Sequence, residues 1–225
     1  MNHEKLNCLA TRDIRFEMFK KAIHFVEYEV IQGDIVEFGV YTGRSLALLD
    51  YAYRLEINTS IHRTTFDRNI KGFDSFEGIY GSDHPRWHDG IFKYNHSYHP
   101  FLQNGERVTE EEVYSLFDYY SLSKPKIYNG YFDVLEISSN IKKAAIIHID
   151  CDTASATNKA LEGCADALQD GTIVMFDDWF NNRGNPDKGE CLGLYQFLHS
   201  YGLKFTFIPY FDYGTFCKSF IVRKT

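Results

Sequence analysis

From Ile14 to Ile31 the apolar residues Phe16, Phe19, Ile23, Val26 and Val30 recur every three or four positions. That spacing predicts an amphipathic helix over 14–31, which Gln32-Gly33 stops. Asp34-Ile35-Val36-Glu37-Phe38-Gly39 then reads as a short apolar strand running into a glycine turn, and Arg44 to Leu55 as a helix. A weaker strand falls at Ile70–Phe73. Ala144-Ala145-Ile146-Ile147-His148-Ile149 is an unbroken apolar strand but for His148, and it ends on Asp150. Ser155 to Leu168 is helical, Thr172 to Phe176 is a strand that also ends on an aspartate, and Glu190 to Tyr201 is a helix. Lys204 to Ile208 and Thr215 to Val222 read as two strands joined through Pro209 and Gly214.

Alternation of strands and helices predicts an α/β fold, a mostly parallel sheet covered on both faces. Continuous apolar strands, buried on both sides, fit the same picture. The last two strands are joined too closely for a crossover and must be antiparallel. Ligands in a doubly wound sheet of this kind sit beyond the carboxyl ends of the strands.

The chain has 225 residues, 24 Lys+Arg against 31 Asp+Glu, and a net charge of −7. That acidic balance argues against a nucleic-acid partner. No stretch approaches the roughly 20 apolar residues of a membrane span, and Met1 to Arg12 lacks the apolar run of a signal peptide. Cys8, Cys151, Cys164, Cys191 and Cys217 are odd in number and form no CxxC pair. They predict reduced thiols in a cytoplasmic protein, with no zinc ribbon. With no repeat or linker, residues 1–225 read as one domain; the 14–31 helix could pack against a second copy in a homo-oligomer.

Three strand ends carry candidate chemistry. Glu37-Phe38-Gly39-Val40-Tyr41-Thr42-Gly43-Arg44-Ser45 places glycines where the backbone turns before a helix, in a G-x-x-x-G spacing that lacks a P-loop's lysine. Its carboxylate suits an amine-bearing ligand better than a pyrophosphate. Asp74, in Gly72-Phe73-Asp74-Ser75-Phe76-Glu77-Gly78, stands where a ribose hydroxyl is commonly bound; closing an Asx turn is the structural alternative. His148-Ile149-Asp150-Cys151-Asp152 and Phe176-Asp177-Asp178-Trp179 would bring three or four carboxylates together if their strands are neighbours. Like charges so close call for a cation, and oxygen ligands select Mg²⁺, Ca²⁺ or Mn²⁺ over zinc. Helix capping by Asp152, Thr153 or Asp178 is the competing explanation.

Together these segments, with Val108–Val113 and Asn129-Gly130-Tyr131-Phe132, resemble the macrocin O-methyltransferase (TylF-like) family. The resemblance implies a Rossmann-like class I methyltransferase, its seven-stranded sheet ending in an antiparallel hairpin. It implies S-adenosylmethionine with its amino acid end near Glu37, Phe38, Gly39, Val40, Tyr41, Gly43 and Ser45. The ribose would lie near Asp74 and Ser75, the adenine beside Gly130, Tyr131 and Phe132, and Asp150 beside the donor. It further implies Mg²⁺ on Asp150, Asp177 and Asp178, and a sugar hydroxyl as acceptor, on a small molecule or a glycan.

In similar enzymes a histidine of the insert before the third strand serves as base. Here residues 79–124 hold His84, His88, His96 and His99, and His96, after Tyr94-Asn95, is the expected one. This insert is too long for a plain connection and is expected to form an acceptor lid with Tyr80, Trp87, Phe92, Tyr94, Tyr98 and Phe101. Two other readings remain: a glycosyltransferase using Asp150-Cys151-Asp152 as its metal motif, which leaves Asp177 and Asp178 without roles, and a non-catalytic protein that binds S-adenosylmethionine.

Overall fold

The computed structural model describes residues 1–62, 64, 66–96 and 99–225, so Tyr98 of the insert lies outside the described residues. Along the chain run α1 (His3–Ala10), α2 (Arg15–Tyr28), β1 (Asp34–Phe38), α3 (Arg44–Thr59), β2 (Ile70–Asp74), α4 (Glu110–Tyr119) and β3 (Lys126–Asn129). They are followed by α5 (Ile137–Asn140), β4 (Ala144–Ile149), α6 (Ala154–Cys164), β5 (Ile173–Phe176), α7 (Asn181–Gly184), α8 (Gly189–Tyr201), β6 (Phe205–Tyr213) and β7 (Cys217–Lys224). The strands form one sheet in the order β3-β2-β1-β4-β5-β7-β6. β1 to β5 pair in parallel, and β7 runs antiparallel to both β5 and β6. This is the class I Rossmann-like methyltransferase architecture with its closing hairpin.

Alternation along the central strands divides the core. Ile35, Ile146 and Met175 pack with α1 to α4, and Val36, Ile147, Val174 and Phe176 pack with α5, α6 and α8. The apolar face of α2 (Phe16, Phe19, Ile23 and Val26) is therefore buried inside the chain, against α3 and β4. The chain order reverses between β1 and β4, and the crevice of an α/β sheet opens at such a point.

Four departures from the sequence reading have physical causes. α1 buries only Leu6 and Ala10 and so carries little periodic signal. α4, inside the 79–124 insert, begins with a Thr109–Glu112 capping box and buries Val113, Leu116 and Phe117, so this part of the insert is scaffold. β3 is a short edge strand without a fully buried residue. Pro209 lies inside β6, not between strands; β6 is the other edge, and its pairing with β7 shifts register between Pro209 and Asp212, the setting in which a strand tolerates proline. Among the described residues no helix is long and apolar enough to cross a membrane.

Candidate functional site

The backbone ladder continues past the ends of the central strands and fixes their loops. Gly39 N–H donates to the Phe73 carbonyl at 3.0 Å, Asp150 N–H to Phe38 at 2.8 Å and Asp177 N–H to Ile149 at 2.9 Å. Gly39, at φ +87°, lets the first turn lie directly on the next strand: a Cβ there would fall 1.7 Å from the Asp150 carbonyl oxygen. Gly43, at φ +80°, starts α3 in a left-handed conformation.

Above these ends opens a cleft of about 710 Å³. On one side it is lined by Gly39, Val40, Tyr41, Ser45, Asp74, Ser75 and Gly130–Phe132, on the other by Asp150, Asp152, Asp177 and Asp178, with Tyr80, Trp87 and Phe92 of the insert above. Ten of the thirteen positions expected around the donor thus face one space; Glu37, Phe38 and Gly43 do not line it. Glu37 and Phe38 are fully buried beneath the turn.

Asp74 closes the Asx turn and does more. Its Oδ1 accepts from Phe76 N–H and its Oδ2 from Tyr41 N–H, each at 2.7 Å, so it ties the second strand end to the first turn. Burial raises its pKa, against the pull of those N–H groups.

Under the cleft floor, Glu37 Oε1 meets His148 Nδ1 at 2.8 Å, with both side chains fully buried. The other ring nitrogen, Nε2, stands 3.6 Å from Asp177 Oδ1, ion-pair distance but too long for a hydrogen bond. Burial alone would discharge this imidazole; Asp177 and Glu37 instead push its pKa up to about 10. Asp177 also faces Arg15, whose Nη1 lies 3.3 Å from its Oδ2 and 3.3 Å from Asp150 Oδ2. Asp13 holds the rest of that guanidinium through Nε and Nη2. Against the cost of burial, Arg15 and His148 hold the Asp177 carboxyl down to about 2.

Asp150 shares the Arg15 guanidinium, whereas among the described residues Asp152 and Asp178 form no ion pair. One oxygen each from Asp150, Asp152 and Asp178 lies within 4.8 Å of the others. Burial first, and then the neighbouring carboxylates, push Asp150 and Asp178 well up and Asp152 up to about 7. Glu190, also fully buried, takes Cys151 N–H on Oε1 at 3.2 Å and Asp178 N–H on Oε2 at 2.9 Å, joining the two acidic loops. The capping alternative falls to Thr153, whose hydroxyl accepts from Ala156 N–H at the start of α6, leaving Asp152 to the cleft. Clustered hard oxygen donors with more carboxylates than cations fit a divalent cation. The trio that converges is not the expected Asp150, Asp177 and Asp178, because Asp177 turns to Arg15 and His148.

His96 is exposed and outside the cleft lining; its backbone N–H donates to the Tyr41 hydroxyl at 2.9 Å, which in turn donates to the Tyr94 carbonyl at 2.8 Å. His84, His88 and His99 are likewise not among the lining residues. Sequence reasoning missed Arg15, Asp13 and Glu190. Nothing at the start of α2 marks its arginine as a cleft residue, and Glu190 reads only as an acidic residue in the first turn of a helix.

The family model for Macrocin-O-methyltransferase (TylF) matches residues 8–186. Among solved structures the chain is similar to the O-methyltransferase NovP, at 18% identity and a TM-score of 0.68 over 94% of this chain and 80% of that one. It is also similar to CalS11, the calicheamicin methyltransferase, at 18% identity and a TM-score of 0.61 over 97% and 90%. A second CalS11 structure, described as TDP-rhamnose 3'-O-methyltransferase, gives 17% and 0.52 over 90% and 77%. These likenesses establish the shared fold. No curated protein matches.

Proposed function

The chain belongs to the macrocin O-methyltransferase (TylF) family and is an S-adenosylmethionine-dependent O-methyltransferase; we propose that the hydroxyl it methylates is carried by a sugar. The observation that carries this is the single cleft in which the glycine turn and Asp74 face the carboxylate group across the switch point of the sheet.

In this reading the Gly39–Ser45 turn receives the amino acid end of the donor, Asp74 accepts from its ribose beside the backbone N–H groups it already binds, and Gly130–Phe132 flank its adenine. Glu37, Phe38 and Gly43 act from below, by shaping that turn. When bound, S-adenosylmethionine supplies an electrophilic methyl group, and a divalent cation lowers the pKa of the acceptor hydroxyl. Asp150 stands between the two sides and is assigned the acceptor's proton. Trp87, Phe92 and Tyr80 offer aromatic faces to the apolar face of a sugar ring and exclude water. His96, outside the cleft, is assigned to holding the insert through Tyr41. The lid is then the 79–107 part of the insert, within one domain spanning 1–225. The five free thiols, four of them buried, support a reducing compartment, and we place the reaction in the cytoplasm.

A glycosylated natural product, a nucleotide sugar and a polysaccharide precursor all present such a hydroxyl; the TDP-rhamnose of the CalS11 description makes nucleotide sugars the first arm of the test. Methyl transfer is read as a mass gain of one methylene across a sugar panel, beside thermal melts with S-adenosylhomocysteine and with UDP-glucose. The expected result is stabilisation by S-adenosylhomocysteine and one methylated sugar. Stabilisation by UDP-glucose alone, or methylation confined to non-sugar hydroxyls, would overturn the proposal.

A further inference from the structure

We propose that a second, polar pocket opening off the cleft holds a further sugar of the acceptor, so that the substrate is a chain of at least two glycosidically linked sugars. This rests on the reading of the cleft as a sugar O-methyltransferase site and names the class of acceptor.

The pocket encloses about 340 Å³, within the range of about 300–1,000 Å³ in which small-molecule sites fall. Thr153, Ser155 and Lys159, at the start of α6 and one turn on, line both it and the main cleft. Beyond them its walls come from Asn158 of α6, from Gly189 and Gln196 of α8, and from Gly81 and Asp83 of the insert. Tyr80 borders the main cleft and Gly81 the pocket, so one stretch of the insert covers both. An acceptor seated beside Asp152 can therefore extend past Thr153 into this space.

The lining selects among the groups to which a sugar can be attached. An apolar aglycone needs apolar walls, and among the described residues no aromatic and no branched aliphatic side chain borders the pocket. The diphosphate of a nucleotide sugar needs free cations. Lys159 is already paired with Glu162 at 2.8 Å, and the neighbouring Lys188 with Asp83 at 3.8 Å. The Asp83 carboxylate would itself repel a phosphate.

A second sugar supplies what the pocket lacks. Asn158 Oδ1 is buried and without a hydrogen-bond partner, while the amide of the same side chain donates to Glu162. Buried oxygens are seldom left unpaired, and a hydroxyl is a donor that fits. Gln196 is exposed on α8, and among the described residues its side chain forms no hydrogen bond, which leaves an acceptor and two donors. The N–H groups of Ala154 and Ser155, in the first turn of α6, have no acceptor within the helix. Hydroxyls, each donor and acceptor at once, match this mixture; an anion matches only its donors.

Methyl transfer is compared across methyl rhamnoside, methyl rhamnobioside and TDP-rhamnose, and across methyl glucoside, methyl cellobioside and UDP-glucose. Wild type, Gln196→Ala and Asn158→Leu are used as full chains, each with a melting curve; Gln196 is exposed, so its variant carries the test if Asn158→Leu does not fold. In wild type the two-sugar glycoside should exceed its one-sugar counterpart in kcat/KM by about tenfold or more, through KM, and each variant should cut that ratio about three- to tenfold. A preference for the one-sugar glycoside or the nucleotide sugar, or a ratio that neither variant alters, would overturn the second subsite and leave the sugar methyltransferase reading in place. Binding of S-adenosylhomocysteine with methylation of none of the six would overturn the sugar reading, and this one with it.

Discussion

Raising the pH of the cation-free protein from about 4 to 8 should destabilise it through Asp152, and Asp152→Asn should remove that loss. In the folded chain burial, and then the charge of Asp150, pushes the Asp152 carboxyl from 3.8 up to about 7. Unfolded, the group returns to its ordinary value. Between those two pH values the unfolded chain has released a proton that the folded chain still holds, so stability falls as pH rises. At about 1.4 kcal/mol per pH unit the full effect is about 4 kcal/mol. The side chain borders an open cleft, and water there reduces the effect to about 2 kcal/mol. In a chain of this length that lowers Tm by roughly 4–8 °C.

The assay is a set of melting curves for wild type and Asp152→Asn in chelator across this range. Near pH 4 the two should coincide; by pH 8 the variant should melt higher by about 5 °C. Curves that stay parallel throughout would refute the reasoning. The difference between the proteins is the readout because other groups titrate in both. His148, pushed up to about 10, contributes fully below about pH 6.5 and progressively less as pH rises towards 10. Asp177, held down to about 2, contributes at every pH above about 4 and loses that as pH falls through 2.

Gly39→Ala forces a left-handed residue and a Cβ into the Asp150 carbonyl, and should cost more than about 3 kcal/mol in chemical denaturation; a loss under about 1 kcal/mol would contradict the packing described. Tyr41→Phe removes two of the hydrogen bonds that hold the insert, about 1–2 kcal/mol in all, and should raise proteolysis within 79–107 and the KM for acceptor while leaving kcat nearly unchanged. His96→Ala should keep kcat within about threefold of wild type, whereas a loss of about 100-fold, the size expected for a general base, would return that role to His96.

The sequence was most legible where burial is symmetrical. Ala144–Ile149 is apolar on both faces because helices cover both sides of β4, and its limits match the reading. The edge strand β3 and the short α1 expose too much surface to leave a pattern. At the site, Asp150, Asp177 and Asp178 were legible as strand-end aspartates, since parallel pairing of β4 and β5 brings their ends together. Which of them share a space was not. That depends on Arg15, which reaches Asp177 across 162 positions of chain, and on Glu190, which reaches Cys151 across 39. Glu37 shows the same limit: its place on β1 was evident, but its pairing with His148 follows from the register of β1 on β4.

The Tyr41 latch separates two kinds of change. The carboxylates of the cleft floor hang from strand ends or are braced by α8, whereas residues 79–107 are tied to the donor turn at Tyr41, whose hydroxyl bridges Tyr94 and His96 and whose ring meets Phe92. Grafting a different loop there would exchange one clientele for another and leave the machinery beneath in register, so diversification of acceptors could proceed by swapping a cover over an unchanged engine.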